Sequence, residues 1–174
     1  MIKRAYLILI LLLTLLLPMS ILKISAKEDT YPKFNINLLG ERPIATLTIK
    51  RIKLKEDLYN LDSPNNSIEK HVTILKESTF PDQNNSILIL AAHSGNGKIA
   101  YFEELDNLKI NDTIKLVYRD KTYLYYVKDI WEEKKDGYIN INKENSNQLI
   151  LTTCSPNKKG YQLIINCIEK ESIY

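Results

Sequence analysis

Two apolar runs limit what this chain can fold into more than any other feature, because both end in a reactive side chain. Ser86–Ala92 (SILILAA) leads into His93 and then Ser94-Gly95-Asn96-Gly97; Gln148–Thr153 (QLILTT) leads into Cys154 and then Ser155-Pro156-Asn157. A short apolar run bounded by turn residues reads as a buried strand, so each run delivers one polar group to a loop mouth. A thiol and an imidazole are the nucleophile and proton-transfer partner of cysteine catalysis. Lying 61 positions apart, they can meet only through tertiary structure. Taken singly, each has a plainer reading. A cysteine at the end of an apolar strand packs as a small hydrophobe, and a histidine before Gly-Asn can serve a turn. The matched placement of the two argues for a site.

The remaining body is also rich in short strands. Ala45, Leu47 and Ile49 alternate with Thr46, Thr48 and Lys50, and the parity shifts at Ile52 and Leu54, which predicts a turn or bulge near Arg51. Asp62-Ser63-Pro64-Asn65-Asn66 is a turn cluster, followed by a helical turn over Ser67–Lys70 and a strand over Val72–Leu75. Tyr101, Leu105 and Leu108 share one face of a short helix. Thr113–Tyr118 and Thr122–Ile130 flank Arg119-Asp120-Lys121 as a hairpin, Glu132–Gly137 reads as a charged loop, and Tyr161–Ile168 is the last strand. Many strands with few helical segments predict a mainly β protein, a closed or nearly closed barrel.

From Ala5 to Leu22 the chain carries no charge over 18 residues, about 27 Å as a helix and close to the ~30 Å hydrocarbon core. This is read as a transmembrane anchor. A signal peptide cut near Ala26 is the competing reading, disfavoured by Ile24 where a small residue is wanted. Either way the body is exported. The expected organisation is residues 1–26 as cytoplasmic N-terminus and anchor, 27–43 as spacer and 44–174 as one barrel domain. A net charge of +3 with interleaved signs leaves no nucleic-acid footprint. Cys154 and Cys167 are too few for a disulfide scaffold. No Asp/Glu cluster marks a metal site, so the sequence supports no cofactor, calcium included.

The body resembles the sortases, membrane-anchored cysteine transpeptidases of Gram-positive cell surfaces. The resemblance runs from about Ile44 to Glu169 and rests on ATLTIKRIKL, STFP, LILAAHSG, AYFEELDNLKINDTIKL and LILTTCSP. Its strongest element is the order: N-terminal anchor, Ala-His at a strand end, then Thr-Thr-Cys about sixty residues later. It implies an eight-stranded sortase-like β barrel with short helices and a groove for a Leu-Pro-any-Thr-Gly-like sorting signal. It further implies cleavage after the Thr through a thioacyl intermediate on Cys154, with transfer to an amine of a peptidoglycan precursor or a pilin. The partners would then be surface proteins carrying that signal, and the catalytic domain would be extracellular.

Residue by residue, Cys154 matches the family nucleophile, His93 the family histidine, and Thr153 the residue lining the substrate and oxyanion region. The family's third catalytic residue, an Arg on the final strand, is missing. Alignment of QLII puts Gln162 there, and no arginine follows Cys154. Losing such a donor typically costs on the order of 10²–10³ in rate. A Gln amide offers two neutral hydrogen bonds, weaker by about half than charge-assisted ones. Gln162, Lys158 or Lys159 could substitute, or the protein could be slow or inactive. Besides transpeptidation, the same residues would serve a membrane-tethered peptidase using water, and the barrel alone would serve a non-catalytic surface binding module. Cys167, an odd number of positions from Gln162, faces the other way and reads as core. His71 reads as exposed, and Tyr101 and Tyr161 as groove-edge candidates.

Overall fold

The computed structural model describes residues 41–170. The anchor expected over Ala5–Leu22 lies outside these residues. Among the described residues no helix is long and apolar enough to cross a membrane.

Eight strands form one sheet: β1 Ala45–Ile49, β2 Leu54–Leu58, β3 Thr73–Ile74, β4 Ile87–Ala91, β5 Thr113–Tyr118, β6 Lys121–Lys134, β7 Gln148–Cys154 and β8 Tyr161–Glu169. Their order is β2-β1-β5-β6-β8-β7-β4-β3. This is the mainly β, eight-stranded architecture expected, with one correction: the barrel is nearly closed rather than closed. β2 and β3 are the two ends of the order. β3 has two residues paired to β4, too few to extend a ladder across to β2. Side chains span part of the gap, with His71 Nδ1 3.8 Å from a Glu56 oxygen. His71 is half-buried between Tyr59 and Tyr101, not on the open surface as expected.

The parity shift near Arg51 is a short 3-10 turn, Lys50–Ile52, closed by Lys53 at φ 53°. The β5–β6 hairpin turns through Arg119 and Asp120, both at positive φ, the conformation that matches strand twist in a two-residue turn. The expected helix around Leu105 is a single 3-10 turn, Leu105–Asn107. The larger departure is β6. Its strand continues through Glu132, Glu133 and Lys134, paired in register with Leu163, Gln162 and Tyr161. Expected as loop, this segment is strand because β8 runs beside it, a partner that charge composition cannot reveal.

Alternation divides the side chains of β4, β7 and β8 between two packed faces. Leu88, Leu90, Leu149, Leu151, Leu163 and Ile165 join the main core inside the barrel. Ile89, Ile150 and Ile164 form a second cluster on the outside, with Trp131, Ile139 and Ile141 packed against it. This accounts for the unbroken apolar runs: strands covered on both faces lose the polar alternation of half-buried ones. Burying such a side chain contributes roughly 1.5–3 kcal/mol, so the inner cluster holds the barrel and the outer one secures the β6–β7 connection.

Candidate active site

The strand pairing answers how residues so far apart in sequence come together. β4 and β7 are parallel neighbours, in register from Ile87↔Gln148 to Ala91↔Thr152, and the amide of Ala92 donates to Thr152 O at 3.3 Å. The constant offset of 61 carries His93 to the same level as Cys154. Both leave the sheet at one end and line an open groove of about 980 Å³, whose wall also includes Ile89, Lys135, Tyr138 and Gln162.

Each strand end is secured by its own loop. His93 O accepts from the amide of Phe102 at 3.0 Å, and Phe102 is fully buried, so the loop carrying the imidazole is tied to the core. Gly95 at φ 107° supplies the sharp turn. The Ser94 hydroxyl donates to Cys154 O at 3.1 Å, joining the two loops directly. Beyond Cys154, Ser155 caps its own turn: its hydroxyl donates to Glu132 and accepts from the amides of Asn157 and Lys158. The Thr153 hydroxyl donates to Ala92 O at 2.8 Å, a buried bond between the residues that precede the two reactive ones, both of which line the groove.

Cys154 is exposed, whereas Cys167 is fully buried, and burial pushes the Cys167 thiol well above its ordinary range. A free-thiol reagent therefore meets Cys154. His93 Nε2 lies 3.4 Å from Glu69 Oε1, on the turn after Ser67. That carboxylate is 71% exposed, so solvent screens the pairing, which orients the ring more than it stabilises it.

Gln162 occupies the position opposite Cys154 on β8, and Glu133 of β6 lies on its other side. The side chain is buried. Its amide nitrogen donates to Tyr138 O at 2.6 Å and to Glu133 Oε1 at 3.2 Å. Both N–H groups are thus engaged within the protein. On the loop after Cys154, Lys158 Nζ lies over the Tyr161 ring, 3.6 Å from its centre, and neither Lys158 nor Lys159 lines the groove. Instead, the cation beside the sulfur is Lys135, whose Nζ is 3.3 Å from Cys154 Sγ. Sequence reading passed over Lys135 as part of a charged loop. No local signal marks it, because its place beside the sulfur follows from β6 continuing alongside β8. The aromatic edging the groove is Tyr138, 76% exposed. Tyr101 turns its hydroxyl to Lys70 O instead.

A family model described as the Sortase domain matches residues 47–168, well over half of the chain. Among solved structures, sortase A from Corynebacterium diphtheriae aligns with a TM-score of 0.66 at 21% identity, over 76% of this chain and 62% of its own. This chain therefore spans less than two thirds of that protein. Sortase C1 from Streptococcus agalactiae gives 0.65 at 24% identity over 75% and 68%. Sortase C from Streptococcus pneumoniae gives 0.65 at 20% over 74% and 67%. Likeness at these identities speaks for the fold. No curated protein matches the sequence. With the strand order, the paired His and Cys strand ends and the family match in agreement, the chain belongs to the sortase family.

Proposed function

We propose that this protein is a membrane-tethered cysteine transpeptidase that cleaves a Leu-Pro-any-Thr-Gly-like sorting signal and passes the acyl group to an amine of a peptidoglycan precursor or pilin. The parallel β4–β7 register that sets His93 level with Cys154 at one groove mouth carries this reading. The groove is lined by apolar side chains such as Ile87, Ile89 and Ile139 together with His93 and Cys154, a fit for an extended peptide with an apolar anchor. The Cys154 thiolate attacks the scissile carbonyl: the S–C bond forms and the π pair moves onto oxygen. As the tetrahedral adduct collapses, the C–N bond breaks and His93 protonates the leaving amine. His93 then takes a proton from the incoming amine, which displaces the sulfur. An anchor over Ala5–Leu22 would hold this body outside the membrane, where protease added to intact protoplasts should degrade it.

The test incubates the full-length protein in detergent with Leu-Pro-type peptides and follows mass on Cys154. A thioacyl adduct is expected, converted to an amide product when a Gly-type amine is added. Cys154→Ala should abolish the adduct and all native-state labelling by a thiol-directed sulfonate, while Cys167→Ala leaves both largely intact. Release of free acid regardless of amine would instead identify a peptidase, and equal loss in both mutants would sink the assignment of the nucleophile.

A further inference from the structure

The missing arginine leaves a question of charge: what stabilises an anionic sulfur, and then an anionic oxygen, in this site? Three observations bear on it. Gln162 has both amide N–H groups engaged by Glu133 and Tyr138 O. The Thr153 hydroxyl is spent on Ala92 O. Lys135 alone, among the described cationic side chains, lies within hydrogen-bond distance of Cys154 Sγ, at 3.3 Å.

We propose that Lys135 is the catalytic cation of this site, and that Gln162 is a positioning residue holding the segment that presents it. This rests on the transpeptidase reading for its consequence in catalysis, though not for its test. The backbone fixes the start of the segment. Lys134 pairs with Tyr161, and the amide of Lys135 extends the ladder by donating to Gly160 O at 2.9 Å. Beyond it the chain leaves the sheet, and a polar clasp holds it down. Glu133 accepts from Gln162 and from both the amide and side chain of Asn140, while Gln162 also grips Tyr138 O. Glu133, Gln162 and Cys154 stand side by side on three adjacent strands. Lys135, two residues past Glu133, shares its face and reaches diagonally across to the sulfur.

The Lys135 ammonium, 3.3 Å from Cys154 Sγ, is placed to attract the negative charge of a sulfur nucleophile. When the thiolate attacks, the negative charge moves two bonds away, from sulfur to the carbonyl oxygen. A flexible ammonium with three donors can follow it without giving up a proton. A planar fork on the last strand is thus replaced by a point charge delivered from just past the end of neighbouring β6. The buried Gln at the old position works for the loop.

The experiment measures alkylation of Cys154 by iodoacetamide at pH 7 in the full-length protein, resolved from Cys167 by peptide mass. Lys135→Met should slow it about three- to fivefold, the order a solvent-exposed opposite charge in contact supports, while Lys135→Arg keeps it within about 1.5-fold. Lys115→Met, on β5, should leave it unchanged. Gln162→Ala should slow it by less than Lys135→Met, and the double variant no further than Lys135→Met alone. Glu133→Ala cuts the same clasp and serves if Gln162→Ala does not fold. A Lys135→Met rate equal to wild type, an Arg variant as slow as Met, or additive losses in the double variant would overturn the proposal. No peptide is cleaved in this assay, so its result is independent of whether the sorting-signal reading holds.

Discussion

The Thr153 hydroxyl offers a direct test of how the two reactive strand ends are held together. It donates to Ala92 O at 2.8 Å from a buried position, joining the residue before Cys154 to the residue before His93. Thr153→Val keeps the shape and removes the donor. Leaving a buried carbonyl short of a partner costs about 1–3 kcal/mol, and exchanging hydroxyl for methyl returns up to ~0.8 kcal/mol of apolar burial. With the full return, a net loss of about 0.2–2.2 kcal/mol remains. For a body of roughly 130 residues this lowers Tm by about 1–8 °C. The loss should also be local. The amide of Ala92 donates to Thr152 O at 3.3 Å, so its hydrogen exchange should quicken in Thr153→Val and stay near wild type in Thr153→Ser, which keeps the donor. Thermal melting and exchange mass spectrometry read the two effects. A Val variant melting within about 1 °C of wild type, with unchanged exchange at Ala92, would refute the argument that this bond fastens the strand ends.

Two further stability predictions come from groups away from the groove. Tyr125 is fully buried and its hydroxyl has no hydrogen-bond partner among the described residues; burial pushes its ionisation far above the ordinary range. Tyr125→Phe should therefore match or exceed wild-type stability, by up to about 1–3 kcal/mol, and a loss above ~1 kcal/mol in urea melts would show a partner at that hydroxyl. The Arg51 guanidinium holds the Asp112 carboxyl below its ordinary value, with one of its two hydrogen bonds at 2.6 Å. A lowered carboxyl contributes stability above its unfolded value and loses it as pH falls through the folded one. Wild type should thus lose stability below about pH 3.8, the ordinary value of this carboxyl. Asp112→Asn should be less stable at neutral pH and lose less on acidification. Parallel acid curves for the two proteins would contradict the assignment.

Local pattern determined much of this protein. Alternation at Ala45–Ile49, the turn near Arg51 and the apolar runs before His93 and Cys154 were legible because strand periodicity and turn chemistry act over a few residues. Cys167 as core, opposite in face to Gln162, followed from the same period of two. The closure of the barrel, the length of β6 and the charge beside Cys154 were decided by tertiary structure. Each depends on which strand lies next to which: β8 turns Glu132–Lys134 into strand, and the level strand ends of β7 and β8 set Gln162 between Cys154 and Glu133. A Gln aligned to a missing Arg carries no mark in the sequence of what its amide will bond. That depends on Glu133 of β6 and Tyr138 O of the loop that follows it arriving beside β8, and the same arrival brings Lys135 to the sulfur. Sequence patterns name the side chains that can react, since reactivity belongs to the residue. Contacts between strands decide which charges surround them, since Coulomb energy depends on distance and exposure, which only the folded chain sets.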